Sequence, residues 1–102
     1  MPASMLWTDN RLTVAGSRAE VRRFEKDDWL RALGGRHCEI LEYSPMRVTC
    51  QFQTEEPPLE ALKIWSRQHP GVFLLEYDCQ LSRLKGLAKA CAGKLDHCQL
   101  SY

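Results

Sequence analysis

The sequence has no long apolar run. Its longest, Val72-Phe73-Leu74-Leu75, is far short of the roughly 20 apolar residues a membrane-spanning helix needs. The N-terminus has no basic stretch leading into an apolar one, so no secretory signal is read there. No two cysteines have C-x-x-C spacing, and the closest pair, Cys91 and Cys98, is seven apart. Structural zinc usually shows paired close ligands, and these are absent. Excess charge is also missing. Fourteen Lys and Arg against thirteen Asp and Glu leave a formal net charge of +1, which gives no strong field for nucleic acid or a membrane surface. No motif for catalysis, metal or cofactor binding stands out, so the expectation is a non-enzymatic chain without cofactor.

What is present describes an ordinary globular chain. A length of 102 residues is one domain. A chain of this size buries roughly 65% of its unfolded surface, enough for a core without metal or disulfide staples. Hydrophobic content is 44% and charged content 26%, both usual for a globular protein. The five cysteines, Cys38, Cys50, Cys79, Cys91 and Cys98, are odd in number. With no secretory signal, they read as free thiols in a reducing cytoplasm, mostly buried as small hydrophobes.

Residues 1–10 read as an irregular lead in which Trp7 is the one heavy apolar group. Residues 11–102 read as the domain. Arg11–Ala15 alternates, with Leu12 and Val14 inward, and predicts a strand. Gly16 turns the chain, and Ser17 with Glu20 forms a capping box. The helix that follows buries Val21 and Phe24. Asp27 and Asp28 recap the chain before Trp29, Leu30 and Leu33, and Gly34-Gly35 ends the helical region. Cys38–Tyr43 and Arg47–Gln53 predict a hairpin about Ser44-Pro45. Pro57-Pro58 opens a helix over Leu59–Gln68. Val72–Cys79 predicts a fourth strand, apolar on both faces at its start and therefore expected to be well covered. Strand–helix–strand–strand–helix–strand is the split βαβ order of the α+β ferredoxin-like fold, an antiparallel sheet with two helices on one face and the other face polar. Residues 81–95 fit two patterns. Leu81, Leu84, Ala88, Cys91 and Leu95 have helical spacing, and propensity favours a helix. A hairpin of Lys85–Cys91 and Leu95–Tyr102 about Ala92-Gly93-Lys94 fits equally.

The candidates for chemistry are thin. His37, His69 and His97 are scattered, with no partners implied by spacing, and His69 suits a helix C-terminus. His97 and Cys98 are neighbours in a strand and point to opposite faces. Glu76 and Asp78 share one face of a strand, an arrangement that solvated or ion-paired edges commonly show. RNA-recognition modules of this topology stack bases on aromatic residues of the central strands. Here the corresponding positions are Arg11, Thr13, Arg47, Thr49, Gln51 and Gln53, with no aromatic among them. A cationic surface is the remaining nucleic-acid feature. Arg83, Lys85, Lys89 and Lys94 against Asp96 give residues 80–102 a net charge of +3. The candidate binding surface is therefore Arg11, Arg47, Arg83, Lys85 and Lys89.

The stretch Trp7…Asn10-Arg11-Leu12-Thr13-Val14-x-Gly16-x-x-Ala19-Glu20-Val21-x-x-Phe24 resembles the start of the YubB-type ferredoxin-like family, small proteins of bacterial plasmids, phages and other mobile elements. Trp65-Ser-Arg-Gln-His-Pro-Gly-Val72-Phe73-Leu74-Leu75-Glu76-Tyr77 resembles that family's helix, proline and extended strand. Lys85-Gly86…Ala92-Gly93…Tyr102 is similar to its C-terminal extension. The resemblance favours the hairpin, residues 84–102, and the expected sheet order is 2-3-1-4-5-6. It carries no catalytic residue. The expected role is an accessory protein that acts through a protein partner, without membrane attachment. The alternative is a nucleic-acid-associated module using the polar or cationic sheet face.

Overall fold

The alternation of Leu12 and Val14 with Arg11 and Thr13 makes the first strand, which starts earlier than the sequence indicates. In the computed structural model, which describes residues 7–102, β1 runs Thr8–Ala15. Thr8 and Asn10 are buried on the same face as Leu12 and Val14. Hydrogen bonds make that burial tolerable: Asn10 Nδ2 donates to Thr54 Oγ1 at 2.9 Å, and the Thr8 hydroxyl donates to the Glu55 carbonyl at 3.4 Å. Residues 8–10 are thus part of the sheet and not of an irregular lead. Residues 1–6 of that lead lie outside the described residues. Trp7 is half-buried, with the Arg36 guanidinium 3.9 Å above its ring.

Both halves of the capping box form. Glu20 N donates to Ser17 Oγ and Ser17 N donates to Glu20 Oε1, and α1 (Arg18–Lys26) buries Val21 and Phe24. Asp27 breaks the helix, and a separate short α2 (Trp29–Ala32) follows, so the described residues hold three helices where two were expected. Gly34, at φ +72, supplies the left-handed residue that ends this region. Then come β2 (Arg36–Ser44), β3 (Arg47–Thr54), α3 (Leu59–Gln68) and β4 (Val72–Cys79). The last segment is a hairpin of β5 (Leu84–Cys91) and β6 (Lys94–Ser101). Helix propensity loses there because Ala88 and Ala90 are buried and β5 pairs with β4 from Leu84 through Ala90. Ala92 and Gly93 both take positive φ, which suits a two-residue hairpin turn.

The six strands form one antiparallel sheet, ordered β2-β3-β1-β4-β5-β6 as the sequence suggested, and the chain is α+β. The core is aromatic where the helices meet the sheet. Phe24 stacks on Trp29 at 5.0 Å, meets Trp65 edge-on at 6.2 Å and leans on Phe73 at 6.0 Å. Trp29 in turn meets Phe52 edge-on. His69 does sit at the helix C-terminus. Its ring stacks on Trp65 and its Nε2 lies 2.9 Å from an Asp27 oxygen, which ties the end of α3 to the end of α1. Among the described residues no helix is long and apolar enough to cross a membrane.

Coverage of the sheet is uneven. Leu12, Cys50, Phe52, Phe73 and Ala90 are fully buried, whereas every residue of β2 and nearly every residue of β6 is exposed. Over the Gly86 end of β5 the inner layer is completed by a side chain instead of a helix. Tyr77 lies across Gly86, its partner in register, so closely that a Cβ there would fall inside the phenol ring. The Tyr77 hydroxyl continues to β6, where it is hydrogen-bonded to His97 Nε2 at 2.5 Å and donates to Gln99 Oε1 at 2.7 Å. One ring therefore spans three strands. Gly86→Ala should lift that ring and destabilise the fold by about 1–3 kcal/mol, the usual cost of overpacking a filled site. Urea unfolding measures it. A midpoint equal to that of the parent chain would show that Tyr77 does not seal this part of the core.

Candidate functional site

The face of the sheet away from the helices is where the chain keeps its unpaired surface. Side chains alternate across the pleat, so burial of Leu12, Val14, Phe73, Leu75, Ala88 and Ala90 puts Arg11, Thr13, Leu74, Glu76, Lys85, Leu87 and Lys89 on the open face. The ladder sets these residues in rows. One row reads Gln51–Arg11–Glu76–Leu87–Cys98, the next Gln53–Asp9–Asp78–Lys85–Leu100, and a third Thr49–Thr13–Leu74–Lys89–Asp96. Short polar contacts hold the β1–β3 side. Gln53 Nε2 donates to Asp9 Oδ1 at 3.1 Å, and the Thr13 and Thr49 hydroxyls lie 3.1 Å apart.

The five cations expected to form a binding surface do not come together. Arg11 faces Glu76 in register, and Lys89 faces Asp96. Lys85 Nζ lies 3.9 Å from Asp78 Oδ2. Arg47 pairs with Ala15 at the far end of the sheet, six residues along β1 from the Asp9 row and so roughly 20 Å away. Arg83 is outside the strands, in the turn before β5, with its guanidinium 6.0 Å from the ring centre of Tyr102. Three of the five thus have a carboxylate opposite or beside them. Glu76 and Asp78 do share a face, as expected, and serve as partners for these cations.

Tyr102 is an aromatic residue on this side that the sequence reading did not weigh. Its hydroxyl donates to Asp78 Oδ1 at 2.5 Å, and Lys85 Nζ lies 5.0 Å from its ring centre. The hydrogen bond to the Asp78 carboxylate holds its phenol pKa above the ordinary value. The larger omission was apolar. Leu74, Leu87 and Leu100 are 41%, 59% and 70% exposed, and each lies one diagonal step from the next across β4, β5 and β6. Exposed Cys98 sits beside Leu87. The open face is therefore not simply polar, and β4 is not covered on both sides. The signal was in the alternation itself, since Leu87 and Leu100 share a face with Lys85, Lys89 and Asp96.

The cysteines are free, but they are not mostly buried. Cys50 is buried, Cys79 is half-buried, and Cys38, Cys91 and Cys98 are exposed. Cys38 and Cys98 are on the outermost strands, which the helices do not cover, and Cys91 falls on the open face. Burial pushes the Cys38 thiol up, and it pushes Cys50 from 9.0 up to about 12. Burial also raises Cys79, but hydrogen bonding, first of all from the Ser82 hydroxyl, outweighs it and leaves that thiol below its ordinary value. Tyr77 is raised by burial. His97 turns toward Tyr77 on the helix side, away from Cys98, so the two do not act together. Among the described residues no group of three or more His, Cys, Asp or Glu side chains is placed to hold a metal ion.

These thiols make a two-part prediction. A thiol reagent should modify Cys91 and Cys98 readily in the native protein, Cys38 more slowly because its thiol is held up by burial, and reach Cys50 only after denaturation. Cys50 should also make folding sensitive to alkali. Its thiol ionises near 9.0 when unfolded and near 12 when folded, so the unfolded chain binds fewer protons in that window and stability falls as pH rises through it. Stability curves for the parent chain and Cys50→Val test this. Parallel curves from pH 9 to 12 would refute the assignment.

Comparison with protein-family models, with curated proteins and with solved structures finds no match for this chain.

Proposed function

We propose that this chain is a non-enzymatic accessory protein that docks a protein partner on the open face of β4, β5 and β6. The observation that carries the reading is the diagonal of Leu74, Leu87 and Leu100, with Cys98 beside it. Large apolar side chains grouped on an exposed surface and rimmed by charge are typical of protein interaction sites. The rim here holds both signs, with Lys85 and Lys89 against Glu76, Asp78 and Asp96. The partner it fits presents apolar anchors flanked by both acidic and basic groups. The reading includes a ferredoxin-like unit, β1–α1–β2–β3–α3–β4, extended by the β5–β6 hairpin. The order β2-β3-β1-β4 of the first four strands supports that. The resemblance to the YubB-type proteins supports a bacterial, cytoplasmic setting and a mobile-element origin.

The alternative role on nucleic acid has less behind it. Arg11, Lys85 and Lys89 have carboxylates opposite or beside them, and Tyr102, the open-face aromatic, is already engaged by Asp78. Binding through phosphates would fall steeply with salt. We expect no binding of a single-stranded oligonucleotide at near-physiological salt. We expect a photo-reactive residue in place of Leu87 to trap one discrete protein in bacterial cells, and the same residue in place of Lys63 on α3 to trap none. Leu74→Asp, added to the chain that carries the reactive residue at position 87, should abolish capture while leaving thermal stability nearly unchanged, because exposed positions tolerate such changes. Micromolar oligonucleotide binding that survives salt, or equal trapping from both positions, would overturn the reading.

A further inference from the structure

The two edges of the sheet are built differently. β2 is irregular: its register against β3 slips between Arg36 and Glu39 and again between Ile40 and Glu42, and His37 takes a positive φ of 55. Such bulges twist an edge and block further pairing. β6 has no such device. It pairs with β5 over eight consecutive residues without a slip, contains no proline and, among the described residues, has nothing beyond it in the sheet.

The ladder shows which groups of β6 face outward. Tyr102 N donates to the Arg83 carbonyl at 2.8 Å. Antiparallel pairs alternate between bonded and non-bonded, so Leu100, Cys98, Asp96 and Lys94 use their N–H and C=O groups on β5. Leu95, His97, Gln99 and Ser101 are left with N–H and C=O groups pointing away from the sheet.

We infer that this edge pairs antiparallel with β6 of a second copy of the chain, about a two-fold axis at Gln99. Such an axis is perpendicular to the sheet, so all helices stay on one face and both leucine diagonals fall on the other. Gln99 then faces Gln99 of the second copy, and His97 faces Ser101, in pairs that exchange both backbone hydrogen bonds. Between them Cys98 faces Leu100, twice, in the non-bonded pairs where side chains come closest. Asp96 falls opposite Tyr102, whose hydroxyl stays on Asp78 of its own chain. No like charges stand opposite each other, so β6 is complementary to itself. An unrelated strand-forming peptide would gain the backbone bonds but not these matched side chains.

The inference concerns the edge of the sheet and stands apart from the partner proposed for its face. Sedimentation over a concentration series tests it. The wild-type chain should move from monomer to dimer as concentration rises. Gln99→Pro should stay monomeric, because proline removes an outward N–H and leaves the β5 ladder intact. Leu100→Asp should also stay monomeric, and it decides the matter if circular dichroism shows Gln99→Pro to be unfolded. A wild type that remains monomeric at its highest soluble concentration overturns the inference, whether or not it takes up an added strand-forming peptide. A dimer that survives both substitutions overturns it too. Either result leaves the Leu87 trapping experiment to decide the docking face independently.

Discussion

The helix layer is narrower than the sheet it covers, and most of what distinguishes this molecule depends on that mismatch. Six strands about 4.8 Å apart span roughly 24 Å between the outermost axes. Two helices packed side by side cover about 20 Å, and among the described residues α1 and α3 are the helices longer than one turn. The apolar layer is therefore deep over β3, β1 and β4, and absent over β2 and most of β6. Where the helices stop, side chains have to finish the inner face. Tyr77 does so over Gly86, and its hydroxyl gathers His97 and Gln99 from the next strand. The polar ends of that network are acceptable because they lie near the rim, where solvent supports them.

This mismatch also separates what was legible in the sequence from what was not. The elements under the helices were readable. Leu12 with Val14, Val48 with Cys50 and Phe52, and the Ser17–Glu20 box each put local preference and tertiary burial in agreement. The limits of α3 and β4 follow from Pro57-Pro58, Pro70-Gly71 and the intervening pattern. Outside the helix layer the agreement weakens. Residues 8–10 look polar, yet Thr8 and Asn10 are buried because Thr54 and the Glu55 carbonyl receive them. Residues 81–95 fit a helix as well as a hairpin, and residues 84–91 are strand, because β4 offers a bonding edge that propensity cannot register. Cys38, Cys91 and Cys98 look like core residues by type and are exposed by position.

The candidate cations lie apart for a related reason. A net charge of +3 over residues 80–102 is a property of the chain, and the sheet redistributes it. Register places Glu76 against Arg11, Asp78 beside Lys85 and Asp96 against Lys89. Pairs of this kind on an open face contribute little to stability, but they cancel the field that would attract a polyanion. What they leave is a neutral rim around three leucines. Composition counts Leu74, Leu87 and Leu100 as core material. Only the pairing of β4, β5 and β6 shows that they lie together on the side without helices.

The hairpin has a second effect, on the edges of the sheet. Without it β4 would be an edge strand, with Phe73, Leu75 and Tyr77 at the margin. Adding β5 makes β4 interior and buries Ala88 and Ala90 beneath α3. The unsatisfied backbone is not removed by this; it moves outward to β6. At the opposite edge, bulges in β2 spoil the outward row of backbone groups, although Ile40 and Tyr43 stay 55% and 65% exposed there. An edge that is regular, proline-free and balanced in charge beside one that is broken twice is a directional arrangement. It limits growth of the sheet to one side, and a two-fold axis on that side uses up both open edges. Pairing through β6 therefore closes at two copies instead of propagating into a fibre.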